Sequence, residues 1–396
     1  MLRQIEGSRA VAEAVARSRP EVICAYPITP QTHIVEALSA MVKARTLAPC
    51  EYVNVESEFA ALSGVIGASA AGARAYTATS SQGLLFMAEA LYNAAGLGLP
   101  IVMTVGNRAI GAPINIWNDH SDSVSQRDSG WIQLYAESNQ EALDLHIQAF
   151  RIAEALALPV MVCVDGFVLT HAYERLDVPD QESVDQYLPS YEPQQILDPA
   201  HPMSIGALVG PEAFTEVRYL AHLRHLKALE VIPAVSTEYA GRFGRGAGGL
   251  VKPYRCGDAD TIVVAMGSVL GTLKDAIDME RADGAKVGAL AIRTFRPFPF
   301  EAVRQAVSRA RRVVVLERAL AVGVGGIVSS DIRTAIAAEP TRITTAIAGL
   351  GGRPITVAAL RRLIADARAD ALEPLTFLDL DQGVVDRELA RTANEG

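Results

Sequence analysis

Three side chains in this sequence stand where chemistry could be done: Thr29, Glu58 and Arg108. Thr29 lies in Tyr26-Pro27-Ile28-Thr29-Pro30, directly after the apolar stretch 21–25. A strand that enters Pro27 must stop, because proline has no N–H to give a ladder. Thr29 then reads as an N-cap and Pro30 as a first-turn residue of a helix at 29–44, with apolar positions Ile34, Val35, Leu38 and Met41. The expected result is a helix N-terminus with a hydroxyl at its tip, a place that suits a carboxylate or phosphate. A strand–turn–helix link with no ligand is the plain alternative. Glu58 stands with Glu51 and Glu56 as one of three neighbouring carboxylates; it follows Ser57 and opens a stretch rich in small residues, Gly64, Gly67, Ala70 and Ala71. It is either a working carboxylate or a first-turn charge favoured by the helix dipole. Arg108 follows the apolar run 101–105, and ligands in open α/β sheets meet strand C-termini. Its planar fork can hold a carboxylate through two hydrogen bonds. A surface arginine paired with a nearby acid is the alternative.

Groups placed in this way need a sheet beneath them, and the pattern supplies one. Short apolar runs at 21–25, 51–55, 74–79, 100–105 and 158–164 alternate with helical periodicity at 29–44, 57–71, 82–95 and 139–157. Near-continuous hydrophobic strands in this rhythm predict a parallel sheet covered on both faces. From about 179 to 255 the rhythm breaks into proline-rich, polar sequence with one helix-like stretch at 214–230, read as an extended connection. A second α/β rhythm then runs through strands 261–265, 286–292, 312–317 and 344–348. The expectation is two doubly wound domains, 1–240 including the connection and 255–396. Gly323-Val324-Gly325-Gly326 lacks the full spacing of a dinucleotide loop and reads as structural.

Composition narrows the function classes. The chain has 396 residues, half of them hydrophobic and 20% charged, which is enough for two cores and argues against disorder. A net charge of -9 argues against nucleic-acid or anionic-membrane surfaces. No apolar run is long enough to span a bilayer, and Met1-Leu2-Arg3-Gln4-Ile5-Glu6 lacks a signal-peptide layout, so a cytoplasmic protein is expected. Cys24, Cys50, Cys163 and Cys256 form no Cys-x-x-Cys pair, so no metal or iron–sulfur ligand set is assigned to this chain.

More strings follow in order: Val55-Glu56-Ser57-Glu58, Ser81-Gln82-Gly83-Leu84, Gly106-Asn107-Arg108-Ala109, Asp119-His120-Ser121-Asp122, Gln126 to Trp131, Asp165-Gly166-Phe167 with His171, Ala265-Met266-Gly267-Ser268 and Arg296-Pro297-Phe298-Pro299. With Tyr-Pro-Ile-Thr-Pro, this set closely resembles the α subunit, or N-terminal region, of thiamine-diphosphate-dependent 2-oxoacid:acceptor oxidoreductases, the pyruvate:ferredoxin oxidoreductase family. The resemblance implies a pyrimidine-binding-type domain followed by a transketolase C-terminal-like domain. It implies that a 2-oxoacid and coenzyme A become an acyl-CoA and CO2, with electrons passing through iron–sulfur clusters to ferredoxin or NAD. Glu58 matches the family's cofactor-activating glutamate, with Glu51 and Glu56 as neighbouring candidates. Arg108 and Thr29 fall to the substrate carboxylate, and Tyr26, Pro27, Ser81 and Gln82 to the cofactor. The polar run from Asn118 to Arg127, including His120, is read as loop stitching.

What is missing shapes the expected partners. Thiamine diphosphate enzymes bind the diphosphate through a metal held by Gly-Asp-Gly and a later asparagine; here Gly257-Asp258 meets Ala259, and Asp165-Gly166 lacks a leading glycine. A β subunit is therefore expected to carry Mg2+ and the diphosphate contacts, with γ and ferredoxin-like δ subunits and [4Fe–4S] clusters outside this chain. Pyruvate is the default substrate; a branched-chain 2-oxoacid or phenylglyoxylate is the alternative, because Gln31 stands where the pyruvate enzymes usually have serine. A non-catalytic scaffold subunit and a self-contained transketolase-type enzyme are the rivals.

Overall fold

The computed structural model describes residues 2–394. Its first sheet has seven strands in the order Thr294–Arg296, Ile132–Tyr135, Val160–Asp165, Val102–Asn107, Ala75–Thr79, Val22–Ala25 and Glu51–Asn54. All neighbours are parallel except Thr294–Arg296, which pairs antiparallel with Ile132–Tyr135. The second sheet has six strands in the order Leu375–Phe377, Arg342–Ile347, Arg312–Glu317, Thr261–Ala265, Val287–Ile292 and Val251–Tyr254, with only the last antiparallel. A separate antiparallel pair joins Leu2–Glu6 to Tyr173–Asp177.

The strands alternate in the faces they bury. In Val160–Asp165, Val160, Val162 and Val164 pack into one cluster, while Met161 and Cys163 pack into another. In Thr261–Ala265, Ile262 and Val264 join that second cluster, whereas Val263 and Ala265 face a third. The middle cluster thus draws on both sheets, including Met103, Trp131, Leu290 and Val313. A layer of apolar side chains buried this way is the main force holding the halves together.

The stretch 179–255 is more than a tether. It forms a helix at Gln181–Tyr187, an irregular passage, and then the 30-residue helix Phe214–Phe243, longer than the 214–230 expected. Its end is anchored by Tyr239, whose hydroxyl donates to Asp144 at 2.6 Å, and by Arg245, which also binds Asp144. The glycine run near 323–326 leads into the helix Val328–Ala335. Glu317 accepts the N–H groups of Ile327, Val328 and Ser329 at 2.7–2.9 Å and so fills the start of Val328–Ala335 with protein carboxylate.

Two expected helices are revised. The helix after Tyr26-Pro27 begins at Thr32, not Thr29, because the Gln31 N–H closes a turn onto the Ile28 carbonyl at 2.9 Å. Thr29 is therefore no N-cap; it sits in a turn ahead of the helix. The helix expected at 82–95 is two, Ser81–Phe86 and Ala88–Leu97, broken at Met87. Among the described residues no helix is long and apolar enough to cross a membrane.

Candidate functional site

The C-terminal ends of Ala75–Thr79, Val102–Asn107 and Val160–Asp165 lie side by side, and the Thr29–Pro30 turn is seated over them. Glycine makes room for it. A Cβ on Gly166 would lie 2.6 Å from the Pro30 ring, and one on Gly106 would meet Ser80 Oγ at 3.0 Å. From here Arg108, buried, reaches across and donates from Nη1 to the Thr29 carbonyl at 2.9 Å. Its Nε reaches the Asn115 carbonyl at a longer 3.4 Å, and Nη2 has no protein partner among the described residues. Burial lowers the Arg108 guanidinium from its ordinary value, and Asp122 works against that.

Glu58 opens Glu58–Ala70, with Ser57 capping through an N–H from Ala60 at 3.2 Å. Of Glu51, Glu56 and Glu58, only Glu58 is buried. Its carboxylate has no hydrogen bond or ion pair among the described residues. It lies against Gly83, where a Cβ would meet Glu58 Oε1 at 2.7 Å and Thr79 Oγ1 at 2.6 Å. Thr79 Oγ1, Ser80 Oγ and Gln31 Oε1 are buried with no protein partner. Buried polar atoms without partners cost free energy, and so many within a few residues mark a place prepared for a ligand.

The remaining candidates divide. Tyr26, Pro27 and Thr29 present exposed side chains. Ser81 is already engaged: its N–H binds Asp122 at 2.9 Å, and its hydroxyl binds the Ala109 carbonyl and Gln82. Gln82 turns its amide nitrogen toward Gly111.

Asp122 organises the floor, a role that local sequence did not reveal. Its carboxylate accepts from Asn107 Nδ2 at 2.8 Å and from the N–H groups of Ser81, Arg108 and Ser123. Burial pushes its carboxyl up to about 6, while those donors pull the other way. His120 is tied to Asp165 within the first half at 2.7 Å, while its N–H reaches the Arg318 carbonyl at 2.7 Å and Asp119 accepts the Gly351 N–H at 3.0 Å, so the polar run contacts the second half of this chain.

The family described as "Pyruvate flavodoxin/ferredoxin oxidoreductase, thiamine diP-bdg" matches residues 13–237, and "Pyruvate:ferredoxin oxidoreductase core domain II" matches 259–360. This chain belongs to the pyruvate:ferredoxin oxidoreductase family. The pyruvate synthase subunit PorA of Methanosarcina barkeri is 47% identical over 96% of each chain. The PorA of Methanothermobacter thermautotrophicus is 46% identical over 92% of this chain and 94% of its own. The ketoisovalerate oxidoreductase subunit VorA of Pyrococcus abyssi is 40% identical over 97% and 96%. A 2-oxoglutarate:ferredoxin oxidoreductase from Magnetococcus marinus shares the fold at a TM-score of 0.71 and 20% identity, over 92% of this chain and 65% of that one. The chain is thus a subunit of a 2-oxoacid oxidoreductase with a thiamine-diphosphate-binding domain. The partnerless Glu58 and the hydroxyls of Thr79 and Ser80 fit that cofactor's aminopyrimidine, which offers ring and amino nitrogens to such groups.

Proposed function

We propose that this chain is the α subunit of a complex that oxidises pyruvate with coenzyme A to acetyl-CoA and CO2, passing two electrons to ferredoxin. The buried carboxylate of Glu58, beside hydroxyls that also lack partners, carries the reading. Thiamine diphosphate, when bound, supplies the electron sink that lets a carboxylate leave as CO2. Glu58 would hold the proton on the pyrimidine ring nitrogen, a contact that strengthens once a covering partner shuts out water. Thr79 and Ser80 orient the ring's polar edge. Arg108 and the Thr29 turn hold the substrate carboxylate, and Arg108 Nη2 is the donor left for it. Once CO2 has formed, that charge is gone and the product leaves freely.

A β subunit bringing Mg2+ and the diphosphate contacts, and γ and δ subunits bearing [4Fe–4S] clusters, complete the enzyme in this reading. Exposed Tyr26, Phe59, Phe86 and Trp117 around the site support a covering partner. Free cysteines fit a cytoplasmic setting. Higher identity to the PorA chains than to VorA favours pyruvate. The test is acceptor reduction by the whole complex with pyruvate, 2-oxoisovalerate and phenylglyoxylate, for the native chain and Glu58→Gln. Pyruvate should give the highest kcat/KM, and the variant should assemble yet turn over ~10²–10³-fold more slowly. Near-normal turnover would remove Glu58 from the mechanism; preference for 2-oxoisovalerate would reassign the substrate.

A further inference from the structure

Glu6, His33 and His171, none of them in contact with Glu58 among the described residues, converge from three parts of the chain. One ligand atom from each lies within 4.8 Å of the other two. We propose that these residues bind one divalent transition-metal ion of the zinc type. Two imidazoles and one carboxylate are a ligand set that suits such an ion, with a fourth position left for water.

The backbone holds the ligands in place before any ion arrives. Glu6 ends the strand Leu2–Glu6, where it faces Tyr173 in the antiparallel register. The turn carrying His171 is pinned to the same strand end. The Gly7 N–H binds the Ala172 carbonyl at 3.0 Å, and Ser8 binds the Thr170 carbonyl through both N–H and hydroxyl at 2.8 Å. A Cβ on Gly7 would lie 2.1 Å from the Leu169 carbonyl, so this close approach is possible only with glycine. His33, in the first turn of Thr32–Lys43, adds the third ligand, its Nδ1 2.8 Å from Glu6 Oε1.

The outer contacts also fit a metal site. His171 Nδ1 lies 2.8 Å from Thr170 Oγ1, which itself accepts the Phe167 N–H at 2.8 Å. A fixed partner on one ring nitrogen orients the ring and leaves Nε2 for a metal. Phe167 packs on the His171 ring at 4.8 Å and closes that side. Ligands on a zinc with bonds of about 2.0–2.1 Å sit roughly 3.4 Å apart, so the 4.8 Å span must draw in by up to roughly 1.4 Å while the 2.8 Å Glu6–His33 pair opens. His33 is half exposed and free to make that movement. The alternative is an ordinary Glu6–His33 pair with His171 stacked beside it, the rings 4.8 Å apart.

The experiment is calorimetric titration of the full-length chain, stripped of metal, with Zn2+. Co2+ is then added in a parallel sample to read its ligand-field bands. The expected result is one ion per chain with cobalt bands of four- or five-coordinate type. His33→Ala and Glu6→Gln should each weaken binding by at least about tenfold, since even outer-contact changes cost about 10–100-fold. His201→Ala, at an exposed surface pair with Asp198, should leave binding unchanged. Metal-free melting temperatures verify that each variant is folded, and the exposed His33→Ala decides the matter if Glu6→Gln is not. Absence of stoichiometric binding, or binding undiminished in His33→Ala, overturns the proposal.

Discussion

Arg108 is buried, with one terminal nitrogen on the Thr29 carbonyl and the other without a protein partner among the described residues; in the proposed reading the latter meets the substrate carboxylate. A change at this residue therefore touches both substrate charge and turn position, and the two effects separate by direction of reaction. Charge-assisted hydrogen bonds are worth roughly 1.5–3 kcal/mol, so Arg108→Ala should lower kcat/KM for the 2-oxoacid at least about tenfold. Misplacement of Thr29 would add to that loss. A half-reaction begun from acyl-CoA and reduced acceptor involves no substrate carboxylate and should suffer much less. Equal losses in both directions would show that Arg108 serves only to hold the turn.

At the scale of elements, Gly83 decides how closely the Ser81–Phe86 helix can approach Glu58. A methyl group there would press on Thr79 Oγ1 and Glu58 Oε1, and the glutamate end is the one free to move. Helix propensity alone would favour alanine by up to about 1 kcal/mol. Yet buried Thr79 and the Glu58 stem, 2.6 and 2.8 Å from the added carbon, cannot yield as the glutamate tip can, so Gly83→Ala should lower the melting temperature as well as cutting activity by about 10²-fold, as a displaced group in the proposed site costs. A variant with lowered stability and intact specific activity would contradict this. The placement of Glu58 at a helix start and of Arg108 just after a strand was legible, because the apolar run and the small-residue stretch are written locally. The start at Thr32 was not legible, since it depends on the Gln31–Ile28 turn. The strand Ile132–Tyr135 was missed because only four residues, one of them Gln133, carry it. Leu2–Glu6 and Tyr173–Asp177 were missed because each is mostly polar and gains meaning only from the other. The Glu6, His33 and His171 grouping follows from that pairing and leaves no local trace.

At the scale of the whole molecule, a buried charge cluster joins the two halves where they meet. Asp165, at the end of a first-sheet strand, accepts from His120 at 2.7 Å, from the Ser268 N–H at 2.9 Å and from Arg318 Nη1 at 2.7 Å. Ser268 and Arg318 belong to the second sheet's connections, so this carboxylate ties the halves by charge where the shared apolar cluster ties them by area. Burial alone would raise Asp165; Arg318 and His120 overcome it and hold the carboxyl well below the usual range. Such a depressed acid adds stability above its unfolded value, around pH 4, and loses it as pH falls toward the folded value. Removing one partner of a buried pair costs about 3–5 kcal/mol, because the other charge stays behind. Arg318→Met should therefore lower the melting temperature at neutral pH. The same substitution raises the folded-state value of Asp165, so the deficit against the native chain should shrink as pH falls through the carboxylate range. Melting curves of both proteins between neutral and acidic pH measure this. A deficit that stays constant with pH would mean that Arg318 acts by packing, and that the charge of Asp165 does not join the halves.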